Sequence, residues 1–284
     1  MNKLYRVVFN QSTGTWQAVP DFARGQGKTK SVRLAGLAVA AVLMGGLAQA
    51  QTLPTGGNIV AGSGSISTSG NVMTVTQGTA KMAADWQSFS IGAGSTVNFV
   101  QPSSTAVALN RVLGSDVSVI QGALNANGQV FLINPNGVLF TPTAQVNVGG
   151  IVASTLNMST ADFLAGNYRF EGGSSNAIVN QGNIQAANGG AVALIAAKIT
   201  NEGSISAPGG QVLLGAGSKV LLDLGGPVKL LVEQGAIDAL ISNGGAIRAN
   251  GGTVLLTAKA AGELASTVIN NTGLIEAQTL ATGE

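Results

Sequence analysis

The sequence has neither cysteine nor histidine, and those two absences close off most soluble catalysis. Without a thiol or an imidazole there is no Ser-His-Asp relay, no thiolate nucleophile, no zinc finger and no His-based metal centre. Charge is also scarce: 9% of residues are Asp, Glu, Lys or Arg, where a globular domain usually carries about a quarter. Aromatic residues are 4%. A disordered chain would be highly charged and poor in aliphatic residues, so that class is excluded as well. What fills the chain is small and aliphatic side chains and 41 glycines. The formal charge of +2 is unevenly spread. Residues 1–50 carry six basic residues against one acid, which leaves eight against eleven, a balance of −3, for residues 51–284. No basic stripe interleaved with aromatics runs through that larger part, so nucleic acid is not expected as a partner. Neither metal nor cofactor is called for.

Residues 28–50 read as a secretory signal. Lys28, Lys30 and Arg33 make the positive region, Leu34 to Leu47 the apolar run, and Ala48 and Ala50 supply small residues at the cleavage positions, which predicts cleavage after Ala50. Fourteen apolar residues fall short of the ~20 that cross a bilayer. Ahead of this signal stands Met1-Asn2-Lys3-Leu4-Tyr5-Arg6-Val7-Val8-Phe9-Asn10, followed by Trp16-Gln17-Ala18-Val19-Pro20. It resembles the extended signal-peptide region of large type V secreted proteins of Gram-negative bacteria. Residues 1–50 are expected to be a cleaved, extended signal peptide and 51–284 one domain.

That domain is β-patterned. Apolar residues alternate with small polar ones in Val72-Met73-Thr74-Val75-Thr76 and in Thr96-Val97-Asn98-Phe99-Val100, as in half-buried strands. Trp86, Phe89 and Ile91 are assigned to the core or end cap of these strands. From residue 120 onward the chain repeats itself. Asn180, Asn201, Asn243 and Asn271 each open a similar run of about seven residues, with Ile184, Ile205, Ile247 and Ile275 at matching places. The spacings are 21 residues from Asn180 to Asn201 and 42 from Asn201 to Asn243. Short strands with no helix-length amphipathic segment predict an all-β solenoid, a parallel β-helix, with the four isoleucines in one interior column. The four asparagines are placed at a corner, where Asn either adopts the left-handed conformation or bonds along the stack. Leu221 to Ile241 breaks the register and stays open between a further rung and a short helix.

The most sharply specified local feature is Gln129-Val130-Phe131-Leu132-Ile133-Asn134-Pro135-Asn136-Gly137-Val138-Leu139-Phe140, strand, turn and strand. Asn134, Pro135, Asn136 and Gly137 suit the four positions of a type I turn. On turn chemistry alone, replacing the two asparagines costs about 1 kcal/mol.

These residues, with Leu109-Asn110-Arg111-Val112, Gly128 and the run Val146 to Leu156, give the chain a resemblance over nearly its whole length. It resembles the secretion domain of filamentous haemagglutinin and related exoproteins of two-partner secretion. The resemblance implies a right-handed parallel β-helix with extra strands capping its N-terminal end. It also implies export by the Sec machinery and recognition by a dedicated outer-membrane β-barrel transporter, whose periplasmic domains bind the unfolded exoprotein. In the family the Asn-Pro-Asn-Gly motif is associated with secretion, so Asn134, Pro135, Asn136 and Gly137 carry two readings, transporter recognition and corner geometry. An upstream Asn-Pro-Asn-Leu motif, found in some members, is missing. Members continue into long repeats, whereas this sequence stops in mid-pattern at Glu284. The expectation is the N-terminal, secretion-targeting part of a large adhesin or haemagglutinin, secreted or held at the cell surface. A host-cell glycan or protein would be its eventual partner.

Two other functions compete. One is the N-terminal part of a contact-dependent toxin carrier. The other is a polysaccharide-active β-helix enzyme, which needs clustered carboxylates for calcium or for acid and base roles. Asp85, Asp116, Asp162, Asp223 and Asp238 are scattered along the chain, so no catalytic residue is assigned.

Overall fold

The computed structural model describes residues 5–10, 15–20, 52–224, 229–261 and 268–278. The chain divides into two units, Met1–Gly46 and Leu47–Glu284. In the first, strands Tyr5–Asn10 and Thr15–Pro20 form an antiparallel hairpin with Tyr5 opposite Pro20 and Asn10 opposite Thr15. The cleavage residues Ala48 and Ala50 and the apolar run before them lie outside the described residues.

The second unit is a coil whose turns lay strands into three long sheets of nine, eight and six strands. Side chains alternate across each strand, so every turn of the coil sends one set inward, and in-register parallel stacking lines those sets up. In the nine-stranded sheet one inward column runs Met73, Val97, Leu124, Val146, Ile184, Ile205, Ile247 and Ile275. From Val97 to Ile247 its members are fully buried. This column contains the four isoleucines of the repeat.

Close stacking has a cost at the corners, and glycine meets it. Gly182, Gly203, Gly245 and Gly273 pile up at one corner; Gly149, Gly190, Gly210 and Gly252 pile up at another. A Cβ on any of these would collide with a backbone oxygen of the turn below. Much of the glycine content therefore reflects the approach of one backbone to the next, which no side chain permits.

At the N-terminal end the pattern reverses. Asn58–Ala61 runs antiparallel to Lys81–Trp86, and Gly64–Ser69 antiparallel to Val72–Gln77. Beneath these strands Trp86 and Phe89 meet edge to face with centroids 5.3 Å apart, and Ile91 is fully buried beside them in the same core. The Trp86 indole N–H donates to Asn110 Oδ1 at 3.0 Å, so the ring is buried with its polar atom satisfied.

The eight-stranded sheet is covered on both faces. Val130 and Leu132 point into the coil, while Phe131 and Ile133 belong to a second apolar cluster on the outside. Two excursions build that cover. The first carries helix Thr160–Ala165 and strand Tyr168–Glu171; the second carries strands Lys219–Leu222 and Leu230–Gln234. Their three strands pair antiparallel, with Phe163 and Phe170 fully buried beneath them. The helix is capped at its start by Ser159, whose hydroxyl accepts from the Asp162 N–H, and ends on Gly166 at φ 81°. Lys81 Nζ then donates to the carbonyls of Phe163 and Leu164 at 3.1 and 2.7 Å, a cation at the negative end of the helix.

Between Leu221 and Leu240 the described residues accordingly form neither a rung nor a helix. They complete one strand of the outer sheet, supply the next, and re-enter the coil at Leu240–Asn243. Asn201 and Asn243 are register partners on adjacent turns. Their doubled spacing measures the excursion, not a missing turn.

Candidate functional site

The Asn-Pro-Asn-Gly corner joins strand Gln129–Ile133 to strand Val138–Phe140. Gly137 N–H donates to the Asn134 carbonyl at 3.0 Å, closing the turn, and Gly137 sits at φ 113°, a left-handed value that favours glycine. Asn134 is 0% exposed. Its amide Nδ2 donates to the Asp116 carbonyl and to Ser118 Oγ, both at 2.9 Å. Its Oδ1 accepts from the Asn136 backbone N–H at 2.9 Å and from Asn136 Nδ2 at 3.1 Å. Asn136 Nδ2 donates also to the Gly114 carbonyl at 2.8 Å. From the other side the Pro135 carbonyl accepts from Ser174 Oγ at 2.6 Å and Asn176 Nδ2 at 2.9 Å.

The corner is thus bolted to the loop before it and to the excursion after it. The sequence did not point to Gly114, Asp116, Ser118, Ser174 and Asn176 as partners of this corner. The one sequence signal for them is a polar, turn-forming Gly114-Ser115-Asp116 just upstream. The energetic expectation also changes. Removing the Asn134 side chain takes a partner from the buried Ser118 hydroxyl, the Asp116 carbonyl and the Asn136 N–H, at roughly 1–3 kcal/mol for each group left unsatisfied, several times the turn-preference figure.

Asn180, Asn201, Asn243 and Asn271 come together in one column of the six-stranded sheet. Asn180 Nδ2 donates to Asn201 Oδ1 at 2.8 Å, Asn201 Nδ2 to Asn243 Oδ1 at 2.7 Å, and Asn243 Nδ2 to Asn271 Oδ1 at 2.6 Å. The first three are fully buried. Among the described residues no non-glycine residue has positive φ, so these asparagines bond along the stack and do not adopt the left-handed conformation. On earlier turns the same column holds Ile120 and Phe140.

The acidic residues stay dispersed, and among the described residues no three Asp or Glu gather as metal ligands would. Glu171 and Glu233 do flank one lysine, with Lys219 Nζ 3.5 and 3.9 Å from their carboxylates. Asp85 pairs with Arg111 at 2.7 Å. Over the outer aromatic cluster, Lys81 Nζ lies 5.9 Å from the Tyr168 ring, and burial pushes the Tyr168 phenol above its ordinary value of 10.0.

Two families match the chain: TPS secretion domain over residues 46–283, and Extended Signal Peptide of Type V secretion system over residues 1–50. Among curated proteins, a heme/hemopexin-binding protein of Haemophilus influenzae is 36% identical over 208 residues, 68% of this chain and 22% of that protein. A second protein of that name and species is 46% identical over 103 residues, 36% of this chain and 11% of that protein. The chain therefore spans about a fifth or less of the length of these relatives. Among solved structures, the HMW1 secretion domain from Haemophilus influenzae superposes with a TM-score of 0.72 at 31% identity, over 80% of this chain and 60% of that one. The filamentous hemagglutinin secretion domain gives a TM-score of 0.51 at 14% identity, over 80% and 98% of the two chains, and supports the fold alone. Secretion domains of this kind engage a cognate outer-membrane transporter. The chain belongs to the TPS secretion domain family, as the secretion domain of a two-partner secretion exoprotein with an extended type V signal, exported through the periplasm of a Gram-negative cell.

Proposed function

We propose that Asn134, Pro135, Asn136 and Gly137 are what the transporter reads, and that they are read in the extended chain before the corner closes. The observation behind this is the burial of Asn134 with its amide fully engaged by Asp116, Ser118 and Asn136. A receptor meeting the folded domain would reach little more than Pro135 and part of Asn136. An extended chain presents all four residues, and folding then withdraws them, so release follows from closing the corner. Sec export, cleavage after Ala50 and a domain spanning 51–284 complete the reading. The buried asparagine column is given a purely structural role.

The test is binding of the transporter's purified periplasmic domains to the chain freshly diluted from denaturant and to the same chain after refolding. The unfolded chain should bind, the refolded chain should not, and the unfolded Asn134→Ala/Asn136→Ala chain should bind at least about tenfold more weakly. Equal binding of the folded domain, or undiminished binding of the unfolded double variant, would sink the proposal.

For the whole protein we propose a large surface or secreted adhesin with a host-cell partner. The names of the Haemophilus relatives favour haem or haemopexin binding as a second reading. The chain covers 22% and 11% of the length of those relatives, so this reading belongs to the whole protein and to no site named above.

A further inference from the structure

The solvent face of the nine-stranded sheet carries four amides in a square. Gln145 is the register partner of Asn183, and Asn147 of Gln185. Within each strand the two amides are two residues apart and so share a face; the residues between them, Val146 and Ile184, are fully buried. Gln145, Asn147 and Gln185 are exposed and Asn183 is half-buried.

Several amides at the corners and in the stacked column are tied down. Asn134, Asn136, Asn180, Asn201 and Asn243 bond within the protein. In the same outward column Asn125 donates to Asn98 at 3.0 Å. By contrast, the side chains of Gln145, Asn147, Asn183 and Gln185 have no hydrogen-bond partner among the described residues. Along the column through Asn147 and Gln185, no charged residue stands from Thr74 to Ser206. The first charges are Arg248 and Glu276, which pair with each other at 3.2 Å. Beside the square, Ala126, Gly149 and Ala187 leave a shallow groove of about 270 Å³ that Asn147 and Gln185 also line.

We propose that this face binds a neutral, linear polysaccharide laid across the strands. Each free amide offers two donors and an acceptor oxygen, which suits neighbouring sugar hydroxyls, since those both donate and accept. A charged glycan would find no counter-ion there and would lose its hydration for nothing. Successive turns stand ~4.8 Å apart, close to the length of one sugar ring, so consecutive rings meet equivalent amide pairs on consecutive turns. The small residues of the groove leave room for the edge of the chain of rings.

The site faces away from the core, so it forms only after folding and is independent of how the transporter reads the chain. The probes are immobilised dextran, mannan, cellulose oligosaccharide and galactan, with heparin and polygalacturonate as charged counterparts, presented to the folded full chain. Saturable binding to at least one neutral glycan is expected, with the charged ones weaker. Asn147→Ala/Gln185→Ala should weaken it about tenfold or more, while unfolding and secretion stay as in the parent. Binding to none of the neutral glycans, a preference for the charged ones, or an unaffected double variant would overturn the proposal. So would self-association of the parent in sedimentation that the double variant abolishes, because the face would then be an interface between copies.

Discussion

Replacing Asn201 by Ala removes the middle member of a buried amide chain. Two hydrogen bonds disappear, the one from Asn180 at 2.8 Å and the one to Asn243 at 2.7 Å. Asn243 Oδ1 then loses the Asn201 donor. Asn180 Nδ2 keeps only the Ser204 carbonyl, at a weak 3.4 Å. Both neighbours are 0% exposed, so water does not replace what is lost without opening the coil. One orphaned acceptor and one weakened donor, at roughly 1–3 kcal/mol for each unsatisfied group, put the destabilisation at about 3 kcal/mol. Urea unfolding of the purified chain, followed by circular dichroism, should show a lower midpoint with an unchanged slope. A sharper test adds Asn180→Ala. Once Asn201 is gone the Asn180 donor is itself a liability, so the double variant should lose clearly less than the sum of the singles. Strict additivity, or a single-variant loss below about 1 kcal/mol, would refute the claim that the column is held by mutual satisfaction of buried amides.

Two further outcomes follow from the corners and the outer sheet. Gly190→Ala, whose Cβ would land on the Gly149 carbonyl oxygen, should cost more than about 2 kcal/mol. Gly173→Ala, with nothing within 4 Å of its new Cβ, should be neutral in the same unfolding assay. Tyr168 has a phenol pKa raised by burial, so the unfolded chain ionises first as pH rises. Its contribution to stability is complete below pH 10 and is lost as pH climbs through the folded value. Comparing unfolding midpoints near pH 8 and above pH 10, Tyr168→Phe should lose less stability on the alkaline side than the parent; an equal loss would show that another group sets the alkaline limit.

The coil was legible because each turn restates its own local signal, an asparagine, a glycine and an apolar residue at fixed offsets. Those offsets placed Ile184, Ile205, Ile247 and Ile275 in one column, where the pairings put them. The excursions were not legible, since their strands pair with each other across the fold. Tyr168–Glu171 finds Lys219–Leu222 only once two turns of the coil have brought them together. Hints existed: Ser159 and Asp162 before Gly166 form a helix start and stop, and Val130 to Ile133 runs apolar without alternation, as strands covered on both faces do. At the Asn-Pro-Asn-Gly corner the turn was readable from four residues. Its depth was not, because burial there is imposed by Asp116, Ser118 and the loop through Ser174 and Asn176.

The buried amide column also has a polarity. The Nδ2 of Asn180, Asn201 and Asn243 each points to the turn that comes later in sequence, which offers an Oδ1 in return; in Asn271 the Nδ2 turns to the Gly273 carbonyl of its own turn at 3.4 Å. From Asn180 to Asn243 each turn therefore templates the one after it. At the opposite end two of the three long sheets are blocked, because Asn58–Ala61 and Gly64–Ser69 run against their neighbours and present no parallel edge in register. A chain that added turns along this column would add them in sequence order. For a polypeptide that crosses a membrane N-terminus first, each completed turn on the far side resists being drawn back through the pore, so the coil would act as a ratchet driven by its own folding.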